Sequence, residues 1–85
     1  MNIVVILNYN DIENTQHFVE KIKNYKYIDK IIIVDNNSTD DSKDILFKMS
    51  SLTQNDKIEI VYNDNNFGYA SGNNMALKYA NEKYN

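Results

Sequence analysis

Two short β-branched runs, Ile3-Val4-Val5-Ile6-Leu7 and Ile31-Ile32-Ile33-Val34, constrain this chain more than any other feature, and each stops abruptly at polar residues. Continuous apolar runs of this length suit strands covered on both faces, as in parallel sheets, and fall far short of the roughly twenty residues of a membrane span. A third strand is expected over 57–62, where Ile58, Ile60 and Tyr62 alternate with Glu59 and Val61. Between the strands the period changes. Ile12, Thr15, Val19 and Ile22 form one stripe with Phe18 beside it, and Glu20, Lys21, Lys23 and Asn24 fall opposite. That spacing predicts a helix to about Tyr25, and Asn10 with Glu13 has capping-box spacing at its start. Ser38 with Asp41 offers a second cap, ahead of a helix that uses Ile45, Leu46 and Met49. Ala70, Met75, Ala76, Leu77 and Ala80 suit a third helix, from Gly68 or Tyr69 nearly to the end. The order β-α-β-α-β-α calls for parallel strands joined by right-handed crossovers. The expected fold class is therefore α/β, a three-layer βαβαβα Rossmann-like parallel sheet.

Composition bounds what such a sheet can serve. Eighty-five residues hold one small domain or part of one. A 42% hydrophobic fraction with a net charge of -3 is too apolar for a disordered tail, and the acidic balance disfavours nucleic acid as a partner. The chain has no cysteine, which removes disulfides and thiolate metal sites and makes a cytoplasmic, reducing compartment the expected location. Met1 leads directly into the first strand without a basic n-region, so no signal peptide is recognisable. The sequence shows no linker or internal repeat.

In an open parallel sheet, ligands bind outside the carboxyl ends of the strands. Three polar clusters follow the three strands: Asn8-Tyr9-Asn10, Asp35-Asn36-Asn37-Ser38, and the asparagine-rich stretch from Asn63 to Gly68. On one rim they suit a nucleoside. A carboxylate accepts from a base N–H or a ribose hydroxyl, an aromatic packs on the base, and helix N-termini offer N–H groups to phosphate. Asp35 is the most informative residue, because it ends an all-apolar strand where a carboxylate needs partners. Turn residues follow strands in most α/β proteins, however, so Asp35 has a second reading as the cap of its own turn, and Tyr9 one as a cover for the core edge. No G-x-G-x-x-G follows the first strand and no G-x-x-x-x-G-K-[ST] occurs, so phosphate would be held another way, most simply by a divalent metal. His17 is the lone histidine and reads as a surface residue. Lys21, Lys23 and Lys26 read as a solvated face, and Tyr79 and Tyr84 as packing groups.

The clusters match a specific pattern. Ile3-Val4-Val5-Ile6-Leu7-Asn8-Tyr9-Asn10 resembles the opening strand and "YN" turn of inverting family 2 glycosyltransferases of the GT-A fold. Ile32-Ile33-Val34-Asp35-Asn36-Asn37-Ser38-Thr39-Asp40 is similar to their V-D-(D/N)-(G/N)-S-T-D motif. Asn65-Asn66-Phe67-Gly68-Tyr69-Ala70-Ser71-Gly72-Asn73-Asn74 is similar to N-x-G-(F/Y)-(A/S)-x-(G/A)-(R/N)-N, with either Asn65 or Asn66 leading. The resemblance covers essentially the whole chain, with three motifs in the right order and spacing. It implies the N-terminal part of a GT-A fold that binds a nucleotide-diphosphate sugar. Leu7 would give backbone contacts, Tyr9 would lie against the base, and Asp35 would bind base or ribose, with Asn37 in the same motif. Asn73, where arginine is common, would lie near ribose and diphosphate. The D-N-N-S-T-D and G-N-N variants look most like the rhamnosyltransferase branch, so a dTDP-linked donor is as good an expectation as a UDP-linked one. Asn36 replaces the second aspartate of the commoner D-D pair, which removes a second charge there.

The family's D-x-D metal motif, which lies beyond the third helix, is missing from this sequence, as are the later carboxylate base and the acceptor-binding half. A divalent metal, Mg or Mn, is expected for the full-length enzyme, with no ligand assignable here. Residues 1–85 thus read as the nucleotide-recognition segment of a longer transferase, inactive alone, with the full-length enzyme cytoplasmic or peripheral to the inner membrane. With strand order 3-2-1 the first strand would be an open edge, which predicts self-association. Two other classes compete with this reading: a non-catalytic nucleotide-binding or self-associating module, and a flavodoxin-like receiver. The receiver needs an acidic pair after the first strand, where this chain has Asn8 and Asn10.

Overall fold

A computed structural model of the chain describes residues 1–52, 57–63 and 69–84, with their side chains except at 51, 52 and 69–73. Six elements alternate: β1 (Ile3–Asn8), α1 (Ile12–Ile22), β2 (Lys30–Asp35), α2 (Ser42–Leu52), β3 (Ile58–Tyr62) and α3 (Tyr69–Tyr84). The three strands form one parallel sheet in the order β1-β2-β3. This is the α/β arrangement expected from the sequence, and it is consistent with the N-terminal part of a GT-A fold.

Side chains alternate across each strand, so two cores form, one on each face. On the first face Val4, Ile6, Ile31, Ile33, Ile58 and Ile60 meet Ile12, Val19 and Ile22 of α1 and Leu46 and Met49 of α2. On the second, Ile3, Val5, Leu7, Ile32, Val34 and Val61 meet Met75, Ala76, Tyr79, Ala80 and Tyr84 of α3. The small alanines at 76 and 80 let α3 approach the sheet closely. β2 is central, and Ile31 to Val34 are fully buried. At roughly 1.5–3 kcal/mol per buried aliphatic side chain, these four supply on the order of 10 kcal/mol. The similar run in β1 differs: Ile3 to Leu7 are only half-buried, because β1 lies at the edge of the sheet. Residue type alone could not separate the two strands.

Several helix ends differ from the sequence reading. α1 stops at Ile22, and the Lys57 ammonium closes its C-terminus by donating to the Lys23 carbonyl at 2.8 Å and the Tyr25 carbonyl at 2.9 Å. Asn10 does not cap α1. Asp11 occupies that position without a side-chain cap bond, while Asn10 takes a left-handed φ of 49° and turns to another loop. Ser38 does not cap α2 either. The Ser42 amide donates to the Asp40 carboxylate at 2.9 Å, and the Asp41 carbonyl accepts from Ile45 N–H. Leu77, expected on the buried stripe of α3, is 59% exposed. Tyr79 and Tyr84 pack on the second core as expected, and their hydroxyls also donate to Glu59 at 2.7 and 2.6 Å.

Candidate functional site

Asn8, Asp35 and Tyr62 are register partners at the carboxyl ends of the three strands. The two-residue period turns all three toward the α1–α2 face. There Asn8 and Asp35 are fully buried, and every polar atom of the pair finds a partner. Asn8 Nδ2 donates to Asp35 Oδ1 at 3.0 Å and to Ser38 Oγ at 3.3 Å, while Asn8 Oδ1 accepts from the Thr15 hydroxyl at 2.6 Å. Ser38 returns both its donors to Asp35, Oγ to Oδ1 at 2.6 Å and N–H to Oδ2 at 3.0 Å. Ser38 Oγ also accepts from Asn10 N–H at 3.0 Å. One network thus joins β1, β2, α1 and both following loops.

Asn10 extends it outward. Its Oδ1 accepts from the Thr39 and Asp40 amides at 2.8 and 3.2 Å, and its Nδ2 donates to Thr39 Oγ1 at 3.0 Å. Asn10 and Asn37 are the two positive-φ residues other than glycine among those described, at 49° and 57°. Asparagine tolerates the left-handed region better than most side chains, which explains its use at both positions. Asn37 Oδ1 accepts from Lys43 Nζ at 2.9 Å, across the start of α2. On the opposite face of the sheet, buried Asn36 accepts from Asn63 Nδ2 at 2.9 Å, which ties the end of β3 to the rim. Burial and then the negative charge of Asp35 push the Tyr62 phenol above its ordinary value.

The structure brings Leu7, Tyr9, Asp35 and Asn37 to one rim, as their strands dictate. Leu7 packs into the second core and leaves only its backbone for a ligand. Tyr9 is half-buried, and no hydrogen bond joins it to Asp35. Asp35 makes the hydrogen bonds of the cap reading: it is held by its own turn and by Asn8, with one Oδ2 lone pair beyond the three bonds it accepts. Asn73 lies within α3, but its side chain is outside the described residues, as are Asn65, Asn66, Phe67 and Gly68 altogether. Asn8 and Asn10 belong to a rim cluster expected from the sequence, but the sequence does not show their bonds to Asp35 and to the Thr39–Asp40 turn, and Thr15 reads there only as part of the α1 stripe. Thr15 carried a usable signal, since a polar residue on an otherwise apolar helix stripe needs a buried partner.

Among the described residues no group of three His, Asp or Glu side chains could hold a metal ion. A divalent metal therefore finds no ligand set on this part of the molecule. No described helix is long and apolar enough to cross a membrane.

A parallel α/β layer whose loops are locked together at the carboxyl rim defines a class of proteins that take their ligand at that rim. The particular family follows from the sequence profile of glycosyl transferase family 2, which matches residues 3–84, and the chain belongs to that family. Membership implies a nucleotide-sugar donor, and enzymes of the family often use a divalent metal. Neither the curated proteins nor the solved structures gave a match.

Proposed function

We propose that residues 1–85 are the donor-recognition segment of an inverting family 2 glycosyltransferase, holding the base and ribose of a UDP- or dTDP-linked sugar. The observation that carries this is the buried Asn8–Asp35–Ser38 network with its Asn10 extension. It fixes the β1–α1 and β2–α2 loops against each other, and so presets the distance between the side chains that would hold a nucleoside. Tyr9 supplies a ring for the base, and the Leu7 backbone supplies polar groups at its edge. Asn37 faces the base or ribose from the turn that the fully buried Asp35 holds, and Asn73 serves ribose and diphosphate from α3. The D-N-N-S-T-D and G-N-N variants favour the rhamnosyltransferase branch, hence a dTDP sugar beside the UDP alternative. The cytoplasm is the compartment this reading proposes, in keeping with a chain that has no cysteine.

Inverting transfer needs a base for the acceptor hydroxyl and a cationic group for the departing diphosphate. Among the described residues no group of His, Asp or Glu side chains could hold a metal, and the Asp35 carboxylate is taken up by its own turn. In this proposal the chain binds and orients the donor.

Calorimetric titration of the chain with UDP and dTDP tests the assignment. Tyr9→Ala is expected to weaken binding about tenfold, roughly 1.4 kcal/mol, through loss of the ring. Asn37→Gly keeps the left-handed backbone and removes only the amide, so a comparable loss assigns the contact to that side chain. Equal affinity in both variants and the parent contradicts the assignment.

A further inference from the structure

Asn8, Asn10 and Asn63 all give their side-chain amide protons to the protein. Asn8 Nδ2 donates to Asp35 and Ser38, Asn10 Nδ2 to Thr39 Oγ1, and Asn63 Nδ2 to Asn36 Oδ1. Asn37 differs. Its Oδ1 accepts from Lys43 Nζ at 2.9 Å, whereas its Nδ2 donates to no described residue. Asn10 is the close comparison, since both residues hold left-handed backbone, with φ of 49° at Asn10 and 57° at Asn37. Asn10 spends both ends of its amide on the neighbouring loop. Asn37 spends one end, and it is only half-buried, which leaves its Nδ2 within reach of a ligand.

Lys43 decides which end of the amide that is. An ammonium has three donors and no acceptor, so only the amide oxygen can face it, and the orientation of Asn37 follows from chemistry. Lys43 stands in the first turn of α2, where the helix dipole disfavours a cation, with Asp40, Asp41 and Asp44 as chain neighbours. It makes no ion pair with them and donates to the neutral amide instead. That contact polarises the amide and makes Nδ2 the better donor.

We propose that Lys43 is a positioning residue that fixes Asn37 as a hydrogen-bond donor, and that Asn37 Nδ2 selects a nucleotide whose base carries a carbonyl rather than an amine at C4. This rests on the donor-recognition reading above and names the group by which that site tells one pyrimidine from another. Uracil and thymine present the O4 acceptor, whereas cytosine presents the N4 amine in the same place. Against Asn37 the amine sets donor against donor, and both groups lose a partner in a partly buried site. Tyr9 cannot make the distinction, because every base has a face to stack. Asp35 is fully buried and taken up by its own turn. A ribose hydroxyl can also accept from Nδ2, but such a contact would not separate UDP from CDP.

Calorimetric titration and side-chain amide shifts of the 85-residue chain with UDP and with CDP test this. UDP is expected to bind about tenfold more tightly than CDP and to move the Asn37 Nδ2 proton resonances, which CDP leaves in place. Asn37→Asp tolerates the left-handed backbone and keeps the Lys43 contact, but it replaces the donor by an acceptor, so the preference is expected to turn toward CDP. Lys43→Met lets the amide turn over and brings the two affinities to within about twofold, while Lys43→Arg still donates and keeps the preference. Equal affinity of the parent for UDP and CDP overturns the proposal and leaves the donor-recognition reading standing. So does a preference that neither Asn37→Asp nor Lys43→Met alters, or Asn37 amide protons that bound UDP does not move. A parent chain that binds neither UDP, dTDP nor CDP contradicts the donor-recognition reading itself, and this inference falls with it. The amide resonances are read on the unmodified chain, so they decide the matter even if a variant does not fold.

Discussion

Asp35 follows four fully buried aliphatic residues, so its carboxylate enters the least hydrated part of the sheet and depends on donors placed there for it. Asn8 and Ser38 provide them, and Thr15 completes the set by bonding the far side of Asn8. Removing the acceptor leaves buried donors without partners, at about 1–3 kcal/mol each. Asp35→Ala is accordingly expected to cost about 3 kcal/mol in denaturant unfolding. Asp35→Asn should cost less, since one oxygen survives, yet its amide would oppose the Ser38 donor. If both variants match the parent in stability, the network does not hold the rim. The sequence showed that Asp35 needed a partner, because a carboxylate after an apolar strand always does. It did not show that the partner would be Asn8, 27 residues away, because that pairing exists only once the two strands are in register.

Among the elements, α3 is fastened by a polar clasp at its C-terminal end. Glu59, inside β3, accepts from Lys83, Tyr84 and Tyr79. Burial alone would raise its carboxyl, but the bonds from Lys83, Tyr84 and Tyr79 outweigh that and bring it from the ordinary 4.5 down to about 2. A carboxylate depressed by folding binds fewer protons in the native than in the unfolded state between these values. Its stabilisation is thus complete above about pH 4.5 and is lost as the pH falls toward 2. Allowing for the exposure of Lys83, the effect is about 2 kcal/mol. Unfolding free energy measured from pH 6 to pH 2 should fall by about this much more in the parent than in Glu59→Gln. Parallel curves for the two would remove the clasp from the account. The existence and order of the elements were legible from period alone, since β-branched runs and 3.6-residue stripes leave few arrangements. Helix starts were not. Asn10 and Ser38 have the composition of caps, but both spend their side chains on contacts between loops, which one-dimensional spacing cannot register.

At the scale of the whole molecule, the two layers of helices are unequal. Among the described residues α1 and α2 share the face on which the rim network is built, and α3 covers the other, with β1 half-buried and Leu77 in solvent. The chain belongs to glycosyl transferase family 2 over residues 3–84, and its parallel sheet carries the rim at which a donor nucleotide is proposed. The rim network fixes the loops on which the proposed nucleotide contacts stand. The most direct test is an amide chemical-shift titration of the chain with UDP and with dTDP. The account predicts saturable shifts concentrated at Tyr9, Asn10 and residues 35–38, with the strand interiors unmoved. Shifts confined to the opposite pole of the sheet, or none at any nucleotide concentration, would contradict it.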